Sequence, residues 1–184
     1  MTVQHFHAFH GTDVVHVNRL VSTATVVDVK DDCAAAVETR RFCRVIEIMQ
    51  NLQVFNGLLN ASGGATTFAG LDGGNADTIT VTTNAGTAQL GATSITAAGG
   101  DPLDGFGGQI GTGANVLFNT SGANGTVLLT GAGLTSISTG TTAGNITFTG
   151  VAVESNAGEP LTLTSGTGDI TFGQTVGAAT PLGV

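Results

Sequence analysis

The sequence predicts a mainly β protein: a right-handed parallel β-solenoid (β-helix) over residues 57–184, preceded by a small N-terminal α/β or irregular segment over residues 1–56. Three observations carry this. Short bursts of alternating apolar and small polar residues fill the second part of the chain. Glycine-rich stretches separate the bursts. The bursts echo one another at a drifting interval of roughly 20–25 residues, the period of stacked repeats.

Composition marks the division between the two parts. The chain has 184 residues and a net charge of -8, and all five Lys and Arg lie at or before Arg44. Of the 29 glycines, 28 fall in residues 57–184. Residues 1–44 hold five acids against five bases, so the acidic excess sits downstream. Such a surface repels nucleic acid and anionic membrane. No run of 18 apolar residues exists, so no membrane-spanning helix is expected. The start, Met1-Thr2-Val3-Gln4-His5-Phe6-His7, has neither a basic region nor a continuous apolar run, so it does not read as a secretory signal.

In the N-terminal segment, residues 14–17 and 25–29 have the β-branched content of short strands. Asp31 and Asp32 suit a helix N-cap. Ala34, Val37, Val45, Ile48 and Leu52 then recur near helical spacing, which predicts a helix over residues 32–51. A rival reading takes 45–48 and 52–55 as strands. His5, His7, His10 and His16 form no complete metal-ligand spacing with a Cys or an acid. Cys33 and Cys43 on one helix would stand about 15 Å apart, too far for a disulfide; on the strand reading they could pair, and two buried free thiols is the default expectation.

Downstream, Ile79-Thr80-Val81-Thr82, Ser94-Ile95-Thr96-Ala97, Asn145-Ile146-Thr147-Phe148-Thr149, Leu161-Thr162-Leu163-Thr164 and Asp169-Ile170-Thr171-Phe172 alternate with period two, as half-buried strands do. Gly99-Gly100, Gly111-Thr112-Gly113, Gly131-Ala132-Gly133 and Gly166-Thr167-Gly168 are expected as the turns between them. A Gly-x-apolar-x-apolar pattern opens at Gly125, Gly144 and Gly168, 19 and 24 residues apart. One such unit cannot bury its own apolar face, so stacking must build the core.

Asp72-Gly73-Gly74-Asn75-Ala76-Asp77-Thr78-Ile79 partly matches the nonapeptide of calcium-binding β-rolls. Asp72 and Asp77 are the candidate metal ligands, with calcium the candidate ion. Asp101 and Asp104 are the one close acid pair of the second part, but Pro102 and Gly105 beside them read as a surface turn. Carbohydrate-active β-helix enzymes need clustered carboxylates and often aromatic or basic groups. Residues 57–184 contain no Lys, Arg, His, Trp, Tyr or Cys, so no catalysis is expected.

The run Gly144-Asn145-Ile146-Thr147-Phe148-Thr149-Gly150, with Leu161 to Phe172 and Val176 to Gly183, resembles the repeat of very large bacterial surface proteins, the β-strand-repeat and filamentous-haemagglutinin-like adhesins. The resemblance implies a structural or adhesive segment at the cell surface or secreted. Its partner would be a host-cell or matrix surface, glycan or protein, and its solenoid ends could self-associate. It also implies a further strand after Thr180-Pro181-Leu182, so the chain reads as a piece of a longer repeat array.

Overall fold

The computed structural model describes residues 15–17, 46–49, 55–83, 86–103 and 105–184. Among these residues there is no helix, and the chain forms strands β1 Val15–Val17, β2 Ile46–Met49, β3 Phe55–Asn60, β4 Ile79–Thr83, β5 Thr87–Thr96, β6 Val116–Thr120, β7 Gly125–Thr130, β8 Thr135–Ser138, β9 Ile146–Thr149, β10 Val151–Ser155, β11 Leu161–Thr164 and β12 Ile170–Phe172. One sheet has the order β1-β2-β4-β6-β9-β12, and the other β10-β7-β5-β8-β11, with β3 also on β5. Every strand ladder among the described residues is parallel. The chain visits the first sheet, crosses to the second, and returns to the first one strand further along.

The register explains why. Val15, Ile46, Ile79, Val116, Ile146 and Ile170 align across the first sheet. Two residues further on, Val81, Phe118, Phe148 and Phe172 align as well. A period-two strand buries one face, and a one-residue slip would expose Ile79, Val81, Val116, Phe118, Ile146 and Phe148, which are buried here. The second sheet turns a corner inside β5. Its first half, Thr87–Gly91, pairs with β7 and its second half, Ser94–Thr96, with β8. Between them Ala92 adopts φ +44, and it is the one non-glycine residue with positive φ among those described.

The core lies between the sheets. Ile79, Val116, Phe118, Ile146 and Phe148 from the first meet Leu90, Val127, Leu129, Val151, Val153, Leu59, Ile95 and Ile137 from the second, all of them buried. Phe118, Phe148 and Phe172 stack in a column, with centroids 4.8 and 4.9 Å apart and planes 9° and 6° from parallel. That spacing is the distance between neighbouring strands, so the rings stack because the ladder places them there.

Two expectations change. Ile46–Met49 is a strand, not the end of a helix over residues 32–51; the rest of that range lies outside the described residues, as do residues 25–29, Cys33 and Cys43. Ile46 and Ile48 alternate with Glu47 and Met49, and with partners on both sides this period-two pattern prevails over helical spacing. The second change concerns glycine. Gly131 and Gly166 do sit in turns with positive φ, but Gly99, Gly100, Gly111 and Gly113 do not. They belong to extended segments packed backbone against backbone.

Candidate binding surface

The glycine segments arise where the chain returns from the second sheet to the first. The later returns are brief, residues 139–145 and 165–169. The two earlier returns, residues 61–78 and 97–115, are far longer, and each runs out and back. Their four limbs are tied together by main-chain bonds. The Gly63 N–H donates to Ala98 O at 2.9 Å, Gly74 to Gly64 O at 2.8 Å, Gly100 to Gly74 O at 2.8 Å, Gly111 to Gly100 O at 2.8 Å, and Gly73 to Gln109 O at 2.9 Å. A Cβ on Gly63, Gly73, Gly99 or Gly111 would stand 1.7–1.9 Å from a neighbouring carbonyl oxygen. These positions require glycine for close approach, without positive φ.

The sequence-derived metal candidates sit in this array. Asp72 is exposed, and its Oδ1 accepts the Gln109 N–H at 2.8 Å. Asp77 is half-buried; its Oδ1 accepts the Thr78 N–H at 2.7 Å, while its Oδ2 is buried with no hydrogen-bond partner. Burial pushes the Asp77 carboxyl above the ordinary range, and the Thr78 amide only partly offsets this. Among the described residues, no three His, Cys, Asp or Glu side chains converge as a metal site. Asp101 is exposed, with its carbonyl accepting the Thr66 N–H at 3.0 Å. Asp104, His5, His7 and His10 lie outside the described residues, and His16 falls on β1.

The side-chain amides at the head of the first sheet form a second device. Asn115 Oδ1 accepts the Asn145 N–H, and Asn145 Oδ1 accepts the Asp169 N–H, each at 2.8 Å. Each thereby bonds the residue one strand along. The outward face of the second sheet carries Ser94 and Thr96, Ser136 and Ser138, Thr162 and Thr164 in matched register.

Glu159 was not legible as a special residue, because nothing in its sequence setting marks a buried acid. It is 6% exposed. Its Oε2 accepts the Ser155 hydroxyl at 2.6 Å and the Asn156 and Ala157 amides at 2.8 Å. Ser155 Oγ in turn accepts the Gly158 and Glu159 amides. The Ala157 amide, the Ser155 hydroxyl and further main-chain donors hold the Glu159 carboxyl below its ordinary range, against the opposing effect of burial. This knot fixes the corner between β10 and β11.

The exposed apolar side chains were also missed. Phe68, Leu71, Phe106 and Ile110 lie at the outer ends of the two long returns. Periodicity could not find Leu71, Phe106 and Ile110, because they follow no strand pattern; Gly64 to Phe68 weakly echoes the repeat but forms no strand.

No protein family, curated protein or solved structure matches this chain.

Proposed function

We propose that the chain is a structural and adhesive repeat segment of a bacterial cell-surface or secreted protein, wound as a right-handed parallel β-solenoid and performing no catalysis. The observation that carries this is the unbroken alignment of Val15, Ile46, Ile79, Val116, Ile146 and Ile170 across parallel neighbours. Repeats that bury their apolar faces only against one another suit an extended scaffold. The Ser and Thr rows, with the acidic balance, keep its sides polar.

Deleting residues 116–145 tests the winding. The deletion joins Asn115 to Ile146 and brings β9, β10 and β11 into the places of β6, β7 and β8. A solenoid still melts cooperatively, at a lower temperature; collapse to an unfolded chain overturns the reading. Antibody staining and protease shaving of intact source cells test the location: a chain found solely inside the cell overturns it.

A calcium-stabilised β-roll is the second reading, favoured by the unpartnered Asp77 Oδ2. Thermal melts in calcium and in chelator separate the two. A large shift, lost in Asp77→Asn, supports the roll, and coincident melts reject it.

A further inference from the structure

The two long returns end in tips that lie side by side. Residues 70–73 run along residues 106–109. A Cβ on Gly108 would stand 2.2 Å from Leu71 O, and one on Gly70 3.6 Å from Phe106 O. The Gly73 N–H donates to Gln109 O at 2.9 Å, and the Gln109 N–H to Asp72 Oδ1 at 2.8 Å. The tips are therefore tied to each other by one main-chain bond and one amide-to-carboxylate bond.

These tips carry four large apolar side chains turned to solvent: Phe68 is 55% exposed, Leu71 52%, Phe106 58% and Ile110 46%. In the first sheet, by contrast, Ile79, Val81, Val116, Phe118, Ile146 and Phe148 are buried almost completely. Single exposed apolar residues are ordinary, but several on one preformed projection mark an interaction surface. Leu134, 52% exposed at another turn, stands outside this group and provides a control. Asp72 and Asp101, both exposed, flank the tips. The described residues contain no Lys or Arg, so the described surface around the patch carries acidic charge alone, from Asp72 and Asp101.

We infer that the paired tips, Phe68 and Leu71 with Phe106 and Ile110, dock a cationic amphipathic polypeptide segment, one that sets apolar side chains beside Lys or Arg. The apolar tips take the partner's apolar face, and Asp72 and Asp101 draw its basic residues. Like charge works against both an anionic membrane and the same face of a second copy. The inference adds to the adhesive part of the proposed function and fails separately from it: the winding is tested by the deletion of residues 116–145, and these tips lie outside that segment.

The test titrates the whole protein into a fluorescent peptide of Leu and Lys at helical spacing, with a Leu and Glu peptide alongside. The Leu/Lys peptide is expected to bind, and more weakly as salt rises. Phe68→Ser with Phe106→Ser should weaken it about tenfold, and Leu134→Ser should leave it unchanged. Asp72→Asn with Asp101→Asn, which keeps the acceptor for the Gln109 amide, should weaken binding and flatten its salt dependence. Should the double Ser variant shift the melting curve, Phe106→Ser alone reads the same contact. Equal binding of the Leu/Glu peptide, or equal losses from Leu134→Ser and the tip variants, overturns the inference. Tip-dependent uptake by phosphatidylcholine vesicles without peptide binding assigns the patch to lipid instead. A dimer that Phe68→Ser converts to monomer assigns it to a second copy.

Discussion

Gly99 faces the carbonyl oxygen of Gly111 so closely that an added Cβ would stand 1.7 Å from it. The obstacle is backbone on both sides, so no rotamer change relieves it. Gly99→Ala should therefore cost about 3 kcal/mol or more, at the upper end of overpacking. Gly105 has φ +81 and nothing within 4 Å of an added Cβ, so Gly105→Ala should cost about 1 kcal/mol, the left-handed backbone penalty alone. Chemical denaturation of the two variants checks the contrast. The two carboxylates give opposite pH behaviour. The Asp77 carboxyl is raised on folding, so its ionisation costs stability progressively as pH rises above the ordinary 3.8 and in full above the folded value, and that cost disappears in acid. Asp77→Asn should raise Tm by about 1–2 °C at pH 7, discounted for partial exposure, with the gain gone near pH 3. Glu159 is lowered on folding, so its stabilisation is present above its ordinary 4.5 and is lost as pH falls through the folded value. Glu159→Gln should melt earlier than the parent at pH 7, and the two curves should converge on acidification. Thermal melts across this pH range read both effects.

At the scale of elements, strand identity was legible wherever an apolar side chain alternated with Thr or Ser. β9, β11 and β12 fall within bursts that the sequence marks, and β4 runs one residue past its burst, to Thr83. β2 was harder, because Ile46-Glu47-Ile48-Met49 satisfies both a helical stripe and a period of two, and only a neighbouring strand decides between them. The limbs of the glycine array were not legible as elements at all. Glycine in a sequence announces backbone freedom, and close backbone packing exploits its missing Cβ by a different route. The phenylalanine column is the element most open to test. Phe148 is buried between two rings, while Phe172 has a ring on one side and is 38% exposed. Phe148→Ala should cost about 3–5 kcal/mol, and Phe172→Ala about half of that or less, because water already reaches its ring. Urea unfolding of the two variants provides the comparison.

Across the whole molecule, each strand is held chiefly by its neighbours in the stack, so local stability should grade along it. β6 has β4 on one side and β9 on the other, whereas β12 has only β9 in its sheet. Amides of Val116–Thr120 should exchange with deuterium at least about tenfold more slowly than those of Ile170–Phe172. Uniform protection would mean that the stack opens as one unit. The parallel arrangement was legible from the echoing bursts, since neighbours that repeat in the same direction pair in parallel. The candidate surface was not, because it depends on which two loops come to lie together.

The register-aligned positions Ile46, Ile79, Val116, Ile146 and Ile170 are separated by 33, 37, 30 and 24 residues. The interior thus dictates where each ribbon must land and leaves the journey between landings unspecified. The outward projections can lengthen or shorten while the aliphatic and phenyl interior stays as it is. Change in the excursions then leaves the frame as it was.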